Sequence, residues 1–437
     1  MEPSQPQRPD RRAFLGGALI AGAAIATPVV RAVGAVGAVA GSEQIKVVVV
    51  GCGGRGTGAA MQALKADPGV VIWAMADAFG DRIDAAVSEL QKSSLADRVQ
   101  VPPDRRFTGF DAATRACASG VHVAILAGPP GLRPDHLRAA VDAGLHVFCE
   151  KPMFVDAAGA RRVIESARAA RARNLNLVSG FCWRRSAPER EIFRRIADGQ
   201  IGDVVAMHSD YLTTPLGVQA RRPEWTDMEF QLRNWQHMVW LSGDFIVEQA
   251  VHSIDKINWA FGNEPPARCT AVGGRALREP IPERGDVYDH FAVVYEWPGD
   301  RRATLMWRQY PDSFNENVDT IIGTRGRAFV NGWAPEHRIT GNANWTRSPS
   351  APRPNMYQVE HDELFRAIRK GERIDDSDWM VQSCRLALMA RMAAYTGQAV
   401  TWKDVLESRE DLMPATLAMD APPPVPTIRQ PGRTKLV

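Results

Sequence analysis

Three glycines, spaced Gly51-x-Gly53-x-x-Gly56, stand at the end of an apolar, β-branched run, residues 45–50. In that context the chemistry is anion binding. The first glycine permits a tight turn, the second lets the backbone approach a pyrophosphate, and the third lets a helix pack closely on the strand. The pyrophosphate then meets the free N–H groups and the positive dipole end of a helix expected over residues 57–66. Cys52, Gly54 and Arg55 complete the loop. A second apolar run, residues 70–76, ends at Asp77. A carboxylate there accepts hydrogen bonds from ribose hydroxyls and repels a 2′-phosphate, which favours NAD over NADP. Arg82 lies near enough to soften that preference, so NADP is not excluded. Far downstream, residues 244–261 read as one helix, on which Glu248, His252 and Asp255 recur at i, i+4 and i+7 and share a face. His252 is the candidate general base, because imidazole titrates near neutral pH. Asp255 is expected to support it, by orienting a ring or capping a backbone group.

These groups need a scaffold of alternating strands and helices. Residues 121–127 read as a strand ending in Gly128-Pro129-Pro130, residues 134–143 as a helix stopped by Gly144, and residues 145–149 as the next strand. That is a doubly wound parallel sheet. Ligands bind such sheets at the carboxyl ends of the strands, which places Gly128, Pro129, Pro130 and Glu150 beside the cofactor. Alternating apolar runs then recur at 203–211, 267–273, 288–297, 302–309 and 317–323, separated by tight turns. Runs joined in that way imply antiparallel pairing. The expected fold is α/β: an N-terminal Rossmann sheet, then a C-terminal α+β domain with a large, open, mostly antiparallel sheet. The expected organisation is a signal segment 1–40, a dinucleotide-binding domain 44–152, a substrate-binding and oligomerisation domain 153–415, and an extended Pro-rich tail 416–437. Helices near 357–370 and 379–396 are expected to return toward the first domain.

The chain has 437 residues, a formal charge of +3, 45% hydrophobic and 24% charged residues, which excludes a disordered polymer, a collagen-like repeat and a coiled coil. A charge this close to neutral gives no support for a nucleic-acid partner. Six cysteines in this length make no disulfide scaffold, and all, Cys52 and Cys149 included, are expected as free thiols. No Cys/His spacing suits a metal, and His208, His237, His290 and His361 have no ligand partners, so no metal is assigned. Near the N-terminus, Arg11-Arg12-Ala13-Phe14-Leu15 precedes a mildly apolar Ala/Gly run and an Ala38-Val39-Ala40 cleavage site. This is the pattern of a twin-arginine export signal, with the mature chain starting near Gly41. Pro28 and Arg31 interrupt the run, which argues against a stable membrane span. The expected location is periplasmic or otherwise exported, with the twin-arginine (Tat) machinery as a partner.

Residues 145–149 lead into Glu150-Lys151-Pro152, and there the chain resembles the Gfo/Idh/MocA oxidoreductases. The segments 201–204, 234–235, 240–244, 248–255 and 286–291 extend the resemblance toward exported glucose–fructose oxidoreductase-like and inositol dehydrogenase-like members. The resemblance implies an NAD(P)-dependent enzyme moving hydride between a secondary alcohol of a sugar or polyol and the nicotinamide. It makes Lys151 the group that hydrogen-bonds the reacting oxygen, His252 the base, and Glu248 the acid that orients or relays the proton. The family more often has Asp at the position of Glu248. It also implies a cis Lys151–Pro152 bond and a homo-oligomer, dimer or tetramer, joined through the open sheet. Arg184, Arg185, Asn234 and Trp235 are the further candidates for holding substrate. The segment 181–185 follows an apolar strand and so faces the cleft, where Trp stacks on a sugar and Arg holds hydroxyls. Trp225, Trp240, Trp259 and Trp333 are expected in the core. Because free NAD is scarce outside the cytoplasm, the exported chain is expected to hold its cofactor tightly and recycle it in place. Two alternatives stay open: an NAD-dependent glycoside hydrolase acting by transient oxidation and elimination, and a non-catalytic nucleotide- or sugar-binding module.

Overall fold

The computed structural model describes residues 43–334 and 336–437. The paired arginines and the Ala38-Val39-Ala40 site lie outside the described residues. The first apolar run forms β1, Ile45–Val50, with Val47, Val48 and Val49 fully buried. Burial on both faces is what a central parallel strand requires. Around it stand β2 (Val70–Asp77), β3 (Arg106–Thr108), β4 (Val123–Leu126), β5 (His146–Cys149) and β6 (Leu177–Ser179). They form a six-stranded sheet in the order β3-β2-β1-β4-β5-β6, every pairing parallel. The expected boundary at residue 152 is therefore too early. The helix Ala157–Ala172 leads into β6, which belongs to the same sheet because it pairs Leu177 with Val147 along the edge that β5 would otherwise leave open.

The second sheet contains β7 (Val204–Thr213), β8 (Arg268–Gly274), β9 (His290–Glu296), β10 (Arg302–Gln309), β11 (Glu316–Gly323), β12 (Gly326–Asn331), β13 (Arg338–Gly341), β14 (Trp345–Thr346) and β15 (Val400–Thr401). Its order is β14-β13-β12-β11-β7-β10-β9-β8-β15. It is mostly antiparallel, but β7 runs parallel to β10. In β10, Ala303, Leu305, Trp307 and Gln309 are buried in strict alternation, against the side covered by the helices Val251–Ala260 and Ser377–Thr396. Val272 and Met306 are exposed on the other side, at 68% and 45%. The helix Met356–Lys370 returns to pack on the helix Gly54–Ala66 of the first sheet, as expected. The tail from residue 416 has no regular structure, yet it is tied down: Tyr288 donates its hydroxyl to the Arg429 carbonyl at 2.6 Å and Gln231 its amide to the Pro424 carbonyl at 3.0 Å. All six cysteines are free and buried. Among the described residues no helix is long and apolar enough to cross a membrane.

The expected single helix 244–261 is broken into Phe245–Glu248 and Val251–Ala260. Gln249 and Ala250 both donate to the Phe245 carbonyl, each at 2.9 Å, so the ladder stops there and restarts. Asp244 sits at φ +72° and anchors the break: its carboxylate accepts the Phe245 and Tyr288 N–H groups and the Tyr395 hydroxyl. One turn past His252, the fully buried Lys256 ion-pairs with the equally buried Asp319 of β11 and donates to Asn317 at 3.0 Å. Removing one partner of such a pair strands the other charge. Lys256→Met should destabilise the chain by about 3–5 kcal/mol, whereas the double change with Asp319→Leu should recover most of that loss. Urea unfolding of the two variants reads the difference.

Candidate active site

The glycine loop is shaped by close approach. A Cβ on Gly56 would collide with the Gly51 carbonyl oxygen, and one on Gly51, at φ +91°, would collide with the backbone of Gly128. The helix Gly54–Ala66 starts at Gly53 with no side chain capping it, so its first N–H groups remain for an anion. Asp77 fixes the loop: its Oδ2 accepts the Cys52 N–H at 2.7 Å and its Oδ1 the Phe79 N–H at 3.1 Å. Burial pushes the Asp77 carboxyl up, and the Cys52 N–H and Arg82 pull it back down. A cavity of about 340 Å³ opens here, lined by Gly51, Gly53, Gly54, Arg55, Asp77, Arg82, Gly128 and Pro129. A glycine cradle, a free helix start and an acidic strand end fit a dinucleotide. Cys52, expected to touch the cofactor, does not line the cavity: its N–H is taken by Asp77 and its thiol turns to the Ala76 carbonyl. Pro130 is buried in the short turn that follows and does not line the cavity.

Glu150 joins this cradle to Lys151, the first of the expected catalytic groups. It pairs with Arg55 Nε at 3.0 Å and accepts the Lys151 backbone N–H at 3.1 Å. Arg55 also lies over the Tyr357 ring, at 5.0 Å. The Lys151–Pro152 peptide is cis. The Lys151 ammonium turns the other way, donating to the Glu248 carbonyl at 2.6 Å and lying 3.4 Å from its Oε1. His252 is held edge-on by Trp183 at 5.1 Å and Phe181 at 6.0 Å. Burial first, then the charges of Lys151 and Lys256, push the His252 imidazole well below its ordinary value, so it is neutral at pH 7. From His252 a row of rings leads outward: Tyr211 lies 6.4 Å from Trp183, and Trp333 lies 6.2 Å from Tyr211. Trp333 is thus no core residue; it is 45% exposed. Trp225 and Trp240 are buried as expected, and Trp259 is partly buried.

Other expected site residues are employed elsewhere. Arg184 is gripped by Asp255, at 2.9–3.2 Å, and sits between the rings of Trp259 and Trp379. Asp255 is therefore taken by Arg184 and Ser383, not by His252. Arg185 pairs with Asp376 at 2.7 Å and Glu363 at 3.0 Å. Both guanidiniums are spent on internal ion pairs rather than on a cleft. Asn234 clamps Gln219, accepting its N–H at 2.8 Å and donating to its carbonyl at 2.9 Å. Trp235 lines the dinucleotide cavity. Sequence reasoning missed Arg133, a buried guanidinium that donates to the carbonyls of both Gly128 and Pro152 and so locks two strand-end turns together. Nothing in its spacing marks it. Among the described residues no group of three or more His, Cys, Asp or Glu side chains could hold a metal.

Residues 45–176 match the oxidoreductase family with an NAD-binding Rossmann fold, and residues 190–329 match the GFO/IDH/MocA C-terminal domain. The chain belongs to the Gfo/Idh/MocA oxidoreductase family. It is 22% identical over 267 residues to an inositol 2-dehydrogenase of Rhizobium meliloti (strain 1021), covering 60% of this chain and 74% of that one. It is 28% identical over 226 residues to a trans-1,2-dihydrobenzene-1,2-diol dehydrogenase of Bos taurus, covering 50% of this chain and 59% of that one. In fold it is similar to a levoglucosan dehydrogenase in complex with NADH and levoglucosan, with TM-score 0.65, 17% identity and coverage of 82% and 99%. An aldose-aldose oxidoreductase from Caulobacter crescentus complexed with glycerol gives TM-score 0.63, 19% identity and coverage of 82% and 99%. In this family's terms the first sheet is an NAD-binding domain. Asp77 both ties the loop and faces the cavity, so Asp77→Ser should weaken NAD binding about tenfold, or ~1.4 kcal/mol, and narrow the discrimination against NADP. Fluorescence titration with NADH and NADPH measures both.

Proposed function

We propose that this chain moves hydride between a secondary alcohol of a sugar or polyol and NAD. The observation that carries the reading is the Lys151 ammonium, held by Glu248 and electrostatically coupled to a neutral His252, one residue from the Glu150 that binds the nucleotide loop. NAD, when bound, supplies the acceptor for the hydride. His252, kept neutral by burial and by two cations, takes the proton from the substrate hydroxyl. Lys151 has three N–H donors; with Glu248 engaging two, the third is free to hydrogen-bond the reacting oxygen and stabilise negative charge as it develops there. Glu248 holds that ammonium in place. Trp333, 45% exposed at the outer end of the row of rings, offers a ring face for the C–H side of a sugar.

The reading extends to the setting. The paired arginines support export, and export in turn supports a cofactor held tightly and recycled between two substrates in one pocket. The uncovered face of the second sheet, with Val272 and Met306 exposed, fits a second copy of the chain. Native mass spectrometry of the chain recovered from outside the cytoplasm reads all three points. We expect a mass beginning near Gly41, a dimer or tetramer, and one dinucleotide per protomer; a full-length, empty monomer would overturn the set.

The chemistry itself is tested on two residues. Lys151→Ala should lower kcat on the order of a hundredfold or more, the usual scale for losing such a donor; unchanged turnover defeats the reading. A base must be unprotonated to act, and a lowered value means protonation at lower pH. The acid limb of kcat/KM should therefore lie below about 6.5, the ordinary value for histidine, and disappear in His252→Asn along with most of the activity.

A further inference from the structure

A further cavity, of about 190 Å³, is lined by residues that none of the chemistry above uses. Arg278, Arg284, Asp289 and Gln309 line it, with Pro215 and Pro311 at its sides. It has room for about six waters at liquid density, enough for an oxyanion and part of a sugar ring.

Its unusual member is Arg278, whose guanidinium finds neutral partners. One nitrogen meets His237 Nδ1 at 3.2 Å, and another donates to Gln309 Oε1 at 3.0 Å and reaches the Tyr288 carbonyl at 3.5 Å. Nε is buried and has no partner. His237 offers no charge in return. Burial lowers its imidazole to about 4, and its Nε2 is engaged with the Gly217 carbonyl at 3.0 Å, leaving Nδ1 as an acceptor. Burial likewise lowers Arg278 to about 10, which leaves it charged at neutral pH. The two acids that act on it are occupied. Asp289 accepts the N–H groups of Ala276, Leu277 and Arg278 and pairs with His290 at 2.8 Å. Asp244 holds Phe245, Tyr288 and Tyr395. Glu279 also lines the cavity and pairs with Arg284 at 3.3 Å. Arg278 is half-buried, and the two carboxylates that act on it, Asp244 and Asp289, are shared with other donors, so a further oxyanion on its guanidinium would be favoured.

The cavity is also joined to the reacting groups. Gln309 donates to Gln249 Oε1 at 3.1 Å, and Trp307 donates to the same atom at 3.1 Å. Gln249 follows Glu248, which holds Lys151. One amide side chain therefore separates the cavity from the residue next to the reacting groups.

We propose that this cavity is an oxyanion subsite, in which Arg278, with Arg284, receives a carboxylate or similar acidic substituent carried by the sugar substrate. The inference deepens the redox reading and rests on it for the identity of the sugar. It makes the substrate an acidic sugar, such as a uronate, rather than a neutral polyol.

The test has a binding arm and a turnover arm, both on the full chain with its cofactor. Tryptophan fluorescence is titrated with glucuronate, galacturonate and inorganic phosphate. NADH formation is followed with methyl glucoside and methyl galactoside and with the corresponding methyl uronosides. We expect saturable uronate binding and at least a tenfold preference in kcat/KM for a uronoside over its neutral counterpart. Both should fall at least tenfold in Arg278→Gln and in Arg284→Gln; the second variant keeps the test alive if the first does not fold. Absence of saturable uronate binding to the unaltered chain overturns the subsite, whatever the turnover. Phosphate binding without uronate binding, or a neutral sugar preferred over its uronoside, also overturns it, the first by pointing to a free anion. Uronate binding that is lost in the variants, with no hydride transfer to any sugar, keeps the subsite and removes the redox reading instead.

Discussion

An ammonium group removed from water must find acceptors, and Lys151 finds two of them on one residue of the other domain. Much of the site follows from that requirement. In an unbroken helix through residues 244–261, the Glu248 carbonyl would accept the N–H of His252. Instead His252 donates to the Gln249 carbonyl at 3.3 Å, and the Glu248 carbonyl is left for Lys151. The break in the helix is thus what turns a backbone oxygen into a lysine ligand. It needs its own anchor, and Asp244 provides it by holding the start of the first segment, β9's approach at Tyr288 and the long helix at Tyr395. Burial pushes the Asp244 carboxyl up to about 6, the measure of how far that anchor lies from water.

The same electrostatic logic runs through the neighbourhood. His252 lies between the influence of two cations, Lys151 on the cofactor side and Lys256 one turn along its own helix. The Lys256 ammonium also sits over the Trp183 ring at 4.2 Å, and Trp183 in turn holds His252. A buried ion pair seldom adds stability over an apolar substitute, but it fixes position sharply. On the opposite flank, Glu150 pairs with Arg55 at 3.0 Å. Glu360 is fully buried with neither carboxylate oxygen partnered, and burial together with Glu150 holds it well above its ordinary value.

Local signals in the sequence carried the parallel sheet and the nucleotide loop. An apolar run buried on both faces, glycines at fixed spacing and an acid at the next strand end all act within about thirty residues of one another. The strands of the second sheet were visible for the same reason, as period-two alternation, whereas the parallel pairing of β7 with β10 was not, because it joins distant segments. The break after Glu248 left no trace, since residues 244–261 keep a helical spacing of apolar side chains on both sides of it. Arg184 and Arg185 misled because arginine meets a carboxylate in the same way whether it belongs to a substrate or to the protein. Their partners Asp255 and Asp376 are 71 and 191 residues away in the chain. Trp333 shows the converse: an aromatic residue in a list of tryptophans says nothing of its exposure until the turn after β12 is placed.

The two ends of the dinucleotide cavity are closed by contacts of different strength. At the strand-end side, Arg133 locks Gly128 to Pro152, Arg55 pairs with a buried Glu150, and Lys151 crosses to Glu248. These groups are mostly buried, and breaking any one of them would leave a charge or a carbonyl without a partner. At the Asp77 side, Arg233 reaches across to Asp81 at 3.0 Å and lies over the Phe79 ring at 4.1 Å, and Asp81 is well exposed. With one partner this exposed, the pair is screened by water and contributes little, roughly 0–1 kcal/mol. If the cavity opens to exchange its occupant, the Arg233–Asp81 rim yields first, because water replaces what that pair loses and cannot reach what the Lys151 side would lose. Lys151, Glu248 and His252 can then stay assembled while the nucleotide enters or leaves past Phe79.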